Sequence, residues 1–296
     1  MHRVLIVGGD KRNIYLAEIF NKENFCVSVC GFDEEVAFSQ GINRVTDIKK
    51  SAAENDIIVF GLPVSFDNIT VNTPYSKDCV YLADILKNAK RDALITGGRV
   101  NKEIAQKHKV EITDYALRDD FAYLNAVPTA EGAIESCMGE ISKTVSGLEC
   151  MVTGFGKCAE ILAIKLKSLN AAVHIYARSS KDLAHANALG FKSYHMSELK
   201  DRANKYDAIF NTVPFGIFKK ECTDSLKTCC VFVDIASAPG GISEDAQKEN
   251  FKYRFLPGLP GKYSPYTAAE IIKQVISAII RESGKDAYGW LLTDSK

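Results

Sequence analysis

Gly154 and Gly156, one residue apart, follow the short apolar run Cys150–Thr153, and behind them Ile161, Leu162, Leu166 and Leu169 recur at helical spacing. Strand, glycine turn and helix are then followed by a second apolar strand, Ala172–Ala177. This βαβ order puts the turn where a dinucleotide-binding fold holds pyrophosphate. Gly154 allows a sharp turn, Gly156 lets backbone N–H groups approach an anion, and Ala159 permits close packing of helix on strand. Phe155 and Lys157 complete the candidate turn.

The end of the second strand bears on which dinucleotide fits. An NAD site normally carries an acid about 20 residues past the glycines, to accept from the ribose 2′-OH. Here the chain reads Ala177-Arg178-Ser179-Ser180-Lys181. Arg178 can pair bidentately with a 2′-phosphate, and Ser179 and Ser180 can donate to it, so the expected cofactor is NADP(H). A solvated Arg178, with either serine capping a helix whose first turn holds Lys181 and Asp182, is the plainer alternative, and capping is compatible with phosphate binding.

Further candidates lie at later strand ends. Thr212-Val213-Pro214 after the run Asp207–Asn211 would line ribose and nicotinamide, and Asp234 closes the run Val231–Ile235. Gly258 and Leu259 belong to Leu256–Tyr263, expected to be a rigid Pro- and Gly-rich loop beside the site. The five histidines are scattered and the nine cysteines contain no C-x-x-C, so no metal site and no disulfide framework are assigned. The cysteines read as buried small hydrophobes; Cys158, in the turn, either fills space or is sensitised to oxidation by the helix N-terminus.

The elements that must carry these residues form two α/β domains. Over residues 1–127, strand-like runs at Val4–Val7, Phe25–Val29, Ile57–Phe60, Ala93–Thr96 and Val110–Ile112 alternate with helical segments, which implies a mainly parallel sheet covered on both faces. Its strand ends offer Asp10, Arg12 and Ser65. Gly8-Gly9-Asp10 lacks the second spaced glycine and puts a carboxylate where pyrophosphate would sit, so the dinucleotide is not expected there. Asp10 reads as a helix cap, leaving Arg12 as a possible anion ligand. A linking helix is expected over residues 128–146, starting at Pro128 and placing Thr129 and Glu131 in its first turn. The dinucleotide domain spans 147–265. A final helix, opened by a Thr267–Glu270 capping box and striped with Ile271, Ile272, Val275, Ile276, Ile279 and Ile280, is expected to pack back on the first domain, leaving Asp286–Lys296 as a loose end.

Lys plus Arg equals Asp plus Glu at 37 each, so no global field recruits nucleic acid or an anionic membrane. The first residues are already strand-like, and no apolar run approaches the roughly 20 residues of a membrane span, so a soluble cytoplasmic protein is expected.

The motifs Gly8-Gly9-Asp10-x-Arg12, Gly31-Phe32-Asp33, Leu62-Pro63-Val64-Ser65, Arg118-Asp119-Asp120, Pro128-Thr129-x-Glu131-Gly132, Gly154-x-Gly156, Ala177-Arg178-Ser179-Ser180, Pro239-Gly240-Gly241 and Pro257-Gly258-Leu259-Pro260-Gly261 occur in that order. The set resembles the family of dipicolinate synthase A subunits from spore-forming bacteria across nearly the whole chain. That resemblance implies two Rossmann-like domains and NADP-linked oxidation of dihydrodipicolinate, or its hydrated precursor, to pyridine-2,6-dicarboxylate for sporulation. It also implies the flavoprotein-like B subunit of dipicolinate synthase as partner; a homo-oligomer is expected as well. The substrate's two carboxylates would fall to Arg12 and Arg118, with Ser65, Thr129 and Glu131 nearby in the cleft between the domains, and Glu131 or Asp10 would take the ring proton. Either arginine could instead be a structural ion pair. The competing functions are an NADP oxidoreductase acting on another small carboxylic acid and a non-catalytic NADP-sensing partner protein.

Overall fold

The structure is a computed structural model that describes residues 2–246, 248 and 250–283. It divides into a first unit, residues up to Ala122 with the segment from Pro265, and a second unit, Tyr123–Ser264. The first unit contains β1 (Arg3–Val7), α1 (Lys11–Lys22), β2 (Cys26–Cys30), β3 (Asn43–Arg44), α2 (Ile48–Glu54), β4 (Ile57–Phe60), α3 (Leu82–Leu86), β5 (Leu94–Gly97), α4 (Lys102–His108) and β6 (Thr113–Asp114). Helix α5 (Asp119–Glu140) carries the chain into the second unit. There follow β7 (Glu149–Thr153), α6 (Lys157–Ser168), β8 (Ala172–Ala177), α7 (Ser180–Ala188), β9 (Lys192–His195), α8 (Leu199–Arg202), β10 (Ala208–Asn211), α9 (Lys220–Thr223), β11 (Val231–Asp234), β12 (Lys252–Phe255) and α10 (Leu259–Tyr263). Helix α11 (Pro265–Glu282) returns to the first unit.

The two sheets run β3-β2-β1-β4-β5-β6 and β12-β11-β10-β7-β8-β9, with parallel pairing throughout. Counted within each unit, both follow the doubly wound order of the Rossmann fold, whose crevice opens where the strand order reverses, here β1/β4 and β7/β10. The central strands can be almost wholly apolar because helices cover both faces: Val4–Val7, Ile57–Phe60 and Val231–Val233 are buried. Register keeps their carboxyl ends level, Val7 beside Phe60 and Thr153 beside Asn211.

At the opposite, amino ends the units repeat one device. Asp56, just before β4, accepts from the Arg3 N–H at 3.0 Å and from Lys90 at 2.6 Å. Asp207, just before β10, accepts from the Glu149 N–H at 3.3 Å, from Lys227 at 3.2 Å and from Lys143 at 3.0 Å. Each carboxylate clamps the first strand of its sheet to the fourth. Burial works against the charge of each, but these donors outweigh it and hold both pKa values below the ordinary carboxylate range.

Several elements differ from expectation. Helix α5 starts at Asp119, nine residues before Pro128, and ends at Glu140. Pro128 removes one helical hydrogen bond, a cost of about 3 kcal/mol; against it stand the burial of Ala126, Ala130, Ala133, Ile134 and Cys137 along the helix and the favourable acids at its start. Strand β6 is Thr113–Asp114, while Val110 and Ile112 pack on the first-unit core without pairing as strand. The Pro- and Gly-rich loop contains α10, because Pro260 suits a first turn and Gly258 at φ +76° lets the chain enter it. Helix α11 begins at Pro265, so Thr267 lies inside its first turn. Its isoleucine stripe is buried and α11 packs on α1, with Lys273 paired to Glu23. Residues Asp286–Lys296 lie outside those described. Among the described residues no helix is long and apolar enough to cross a membrane. All nine cysteines are free; Cys79 and Cys229 are exposed rather than buried.

Candidate functional site

At the crevice of the second sheet, Gly154 has φ +83° and its N–H bonds the Tyr176 carbonyl at 2.8 Å. A Cβ there would lie 2.6 Å from Thr212 Oγ1, whose hydroxyl donates to the Thr153 carbonyl at 2.8 Å. Gly154 is therefore demanded by the protein's own packing. Gly156 is different: its φ of −82° suits any residue, and a Cβ there would meet nothing within 4 Å. Nothing among the described residues requires that glycine. It caps the twelve-residue α6 and supplies no side-chain acceptor to the helix N-terminus, an arrangement suited to receiving an anion.

Beside the turn is a cavity of about 470 Å³ walled by Gly154, Ala177, Arg178, Ser179, Asp182, Met196 and Val213. Arg178 is exposed, and among the described residues its guanidinium has no hydrogen-bond or ion-pair partner. Ser179 caps α7, accepting weakly from the Asp182 N–H at 3.4 Å, and Ser180 opens that helix. Asn211, fully buried, holds the next wall: its Oδ1 accepts from Thr153 Oγ1 at 2.6 Å and from the Val213 N–H at 3.1 Å, while Nδ2 donates to the Val213 carbonyl at 3.0 Å and to Asp234 at 2.7 Å. All four capacities of that amide are filled, which fixes the course of Thr212-Val213-Pro214.

Not every expected cofactor residue presents its side chain here. Phe155 is buried against Phe191 and His185, leaving only its backbone to the turn. The Lys157 ammonium lies over the Tyr123 ring. Asp234 is 0% exposed and accepts from Asn211, the Gly241 N–H and Tyr253. Leu259 is buried where Gly132 of α5 lets α10 approach, a Cβ at Gly132 standing 3.3 Å from Leu259. Partial burial pushes the Cys158 thiol up to about 12, which disfavours sensitisation by the helix N-terminus.

The residues expected to hold substrate divide between the units: Asp10, Arg12, Ser65 and Arg118 lie in the first, Thr129 and Glu131 in the second. Asp10 caps α1 and accepts from Arg12 Nε at 2.9 Å and Nη2 at 2.8 Å; Arg12, 7% exposed, also donates Nη2 to the Leu62 carbonyl at 2.9 Å. Burial opposes the guanidinium charge, but Asp10 outweighs it and the pKa lies above its ordinary value. Ser65 organises a surface turn, accepting from the Asn68 N–H and donating to Asp67. Arg118 is held by Glu282 at 2.6 and 2.8 Å and by Asp120 at 3.0 and 2.8 Å, which push its pKa further up. Thr129 bonds back to the Asn125 carbonyl within α5. Glu131 pairs with Lys165 at 2.8 Å on a separate groove of about 550 Å³ along α5 and α6.

The first sheet's own glycine turn is packed by the protein itself. A Cβ on Gly8 would lie 2.7 Å from both the Asn72 carbonyl and Thr73, one on Gly31 2.7 Å from Thr73, and Gly9 donates its N–H to the Asn72 carbonyl at 2.8 Å. These glycines admit the protein's own chain. Among the described residues no group of His, Cys, Asp or Glu is placed to hold a metal ion. Sequence reasoning passed over Asn211 and Met196 as wall residues and took Asp182 only as a first-turn acid. Ser179-Ser180-Lys181-Asp182 does carry a capping-box pattern, but Met196 follows an edge strand with no comparable signal.

Residues 3–116 match the N-terminal domain family of the dipicolinate synthase A subunit. The whole chain is 28% identical over 285 residues to the dipicolinate synthase A subunit of Bacillus subtilis (strain 168), covering 95% of this chain and 96% of that one. The crystal structure of the B. subtilis A subunit superposes with a TM-score of 0.85 over 96% of this chain and 97% of that one, and the A subunit of Bacillus halodurans with 0.84 at 26% identity over 94% and 97%. A transhydrogenase of Sinorhizobium meliloti shares the fold alone, at 13% identity and a TM-score of 0.68 over 94% and 92%. Sequence, N-terminal domain and fold agree that this chain is a relative of the dipicolinate synthase A subunit over nearly its whole length.

Proposed function

We propose that the chain is an oxidoreductase that binds NADP(H) in its second unit and oxidises dihydrodipicolinate, or its hydrated precursor, to pyridine-2,6-dicarboxylate in the cytoplasm of a sporulating cell, together with a flavoprotein-like second subunit. The observation that carries the reading is the open space over Gly156, in a chain related throughout to the dipicolinate synthase A subunit. The residues present fit the dinucleotide. Gly154 and Gly156 would admit its pyrophosphate to the N-terminus of α6, Arg178, Ser179 and Ser180 would take the 2′-phosphate, and Thr212-Val213-Pro214 would wall the ribose and nicotinamide.

When bound, the cofactor supplies the hydride acceptor. A dihydropyridine becoming aromatic releases hydride readily, so the chain's task is to align the ring and exclude water. Of the two arginines proposed for the carboxylates, Arg12 is the better placed: its bonds to Asp10 and Leu62 use Nε and Nη2, whereas every guanidinium nitrogen of Arg118 is engaged by Asp120 or Glu282. Ser65 and Thr129 would add hydroxyl donors. Glu131 or Asp10 would accept the proton lost with the hydride, each after exchanging its present cation.

The test is co-expression with the candidate flavoprotein subunit, followed by ultraviolet detection of pyridine dicarboxylate from the product of dihydrodipicolinate synthase. Formation of the aromatic product dependent on NADP is expected. Turnover of other small acids only, or cofactor binding without any turnover, would sink the assignment.

A further inference from the structure

Two residues of opposite charge, Arg178 and Asp182, line the cavity beside Gly154. Arg178 ends β8 and Asp182 stands in the first turn of α7; among the described residues neither side chain pairs with the other or with any other group. The ordinary role for an acid at this place is the returning half of a capping box, its carboxylate accepting from the N–H of the cap residue. That half is missing. Ser179 Oγ accepts from the Asp182 N–H at 3.4 Å, but the reciprocal bond to the Ser179 N–H is not made, whereas the turn at His195–Glu198 in the same unit makes both. Asp182 and Arg178 are both residues of the cavity wall.

Accepting that the second unit holds a nicotinamide dinucleotide, we infer that Asp182 makes the cavity a site for NADH as well as NADPH. The two residues answer the two forms of one ribose. A guanidinium pairs with a 2′-phosphate, while a carboxylate accepts from a free 2′-OH and repels a phosphate. An acid displaced from the strand end to the helix's first turn performs the reading whose absence at the strand end favours NADP alone. With Arg178 turned to solvent, NADH gains the Asp182 bond; with Arg178 on the phosphate, NADPH gains a charge pair and bears the repulsion of Asp182. Discrimination between the two cofactors is thereby compressed.

The experiment is calorimetric titration of the full chain with NADPH and with NADH, for wild type, Asp182→Asn, Asp182→Ala and Arg178→Ala. Wild type is expected to bind the two within about tenfold of each other. Both Asp182 variants should weaken NADH by about tenfold while leaving NADPH unchanged or tighter, and Arg178→Ala should do the reverse. A role confined to the helix cap would shift thermal stability and move both affinities together. Unchanged NADH affinity in both Asp182 variants, equal loss for both cofactors, or wild-type NADH binding more than about a hundredfold weaker than NADPH overturns the inference while leaving the dinucleotide reading intact. A wild-type chain that binds neither dinucleotide overturns both.

Discussion

The two units share strand order and the carboxylate clamp at their amino ends, yet their carboxyl ends have gone opposite ways. In the first, Gly8, Gly9 and Gly31 sit under Asn72 and Thr73, and Arg12 is locked onto Asp10. In the second, the space over Gly156 is open and Arg178 has no protein partner among the described residues. A glycine-rich turn after the first strand is thus two different devices. One admits the protein's own backbone, and its glycines are a matter of stability; the other leaves the space over its second glycine open, which the proposed function assigns to binding.

Substituting the two kinds of glycine should separate them most strongly. Gly156→Val is expected to weaken dinucleotide binding by more than about a hundredfold, roughly 3 kcal/mol, with little change in melting temperature because its Cβ meets no protein atom. Gly8→Val should do the converse, lowering stability by about 3 kcal/mol or more through its left-handed φ and the clash with Asn72, without altering cofactor affinity. Calorimetry and thermal melts of both variants decide the matter; retained cofactor affinity in Gly156→Val would move the dinucleotide out of the second unit.

The two arginines, one exposed and one locked, sharpen the contrast. Arg178→Ala should cost about 1.5 to 3 kcal/mol of NADPH affinity and leave stability unchanged. Arg12→Ala should instead cost about 2 kcal/mol of stability, because it strands Asp10 at the mouth of the first sheet, while NADPH affinity holds. If Arg12 also takes a substrate carboxylate, dipicolinate titrated with NADPH present will bind at least about tenfold more weakly to a folded Arg12→Lys variant. Wild-type dipicolinate affinity there would assign the carboxylates elsewhere.

The smallest effect lies where the units are alike. Asp207 has its folded pKa below the unfolded value of about 3.9, so its stabilisation is complete above that pH and is lost as pH falls through the folded value. Asp207→Asn should therefore lower stability by about 1 kcal/mol at neutral pH and flatten the acid limb of the stability profile below about pH 4. Asp56→Asn should act in the same direction more weakly, its carboxylate being more exposed. An unchanged acid limb in Asp207→Asn would show that the clamp is not linked to folding.

How much of this could be read from residues alone depended on how local the signal was. The β7–α6–β8 unit was legible because an apolar run, two spaced glycines and a helical stripe lie within one short stretch, and Arg178 falls at its end. Edge strands were not. Asn43-Arg44, Lys192–His195 and Lys252–Phe255 face water on one side and carry charges that discourage further pairing, so they lack an apolar run. The true start of α5 was masked by Pro128, a start signal overridden by apolar burial on both sides of it. The packing of the first glycine turn was invisible for a different reason: Asn72 and Thr73 lie more than sixty residues from Gly8, and nothing local in either stretch announces the other.

The return of α11 to the first unit has a consequence for synthesis. The second unit is one continuous segment, Tyr123–Ser264, whereas the first is interrupted by it and is completed only when the last helix docks on α1. A nascent chain can therefore close the second sheet while the ribosome still holds α11. Until α11 emerges, α1 lacks the apolar stripe that covers it, so the first unit, though translated first, is the last to be finished. A chain cut short before Pro265 would keep its second unit and present to chaperones the bare face of its first.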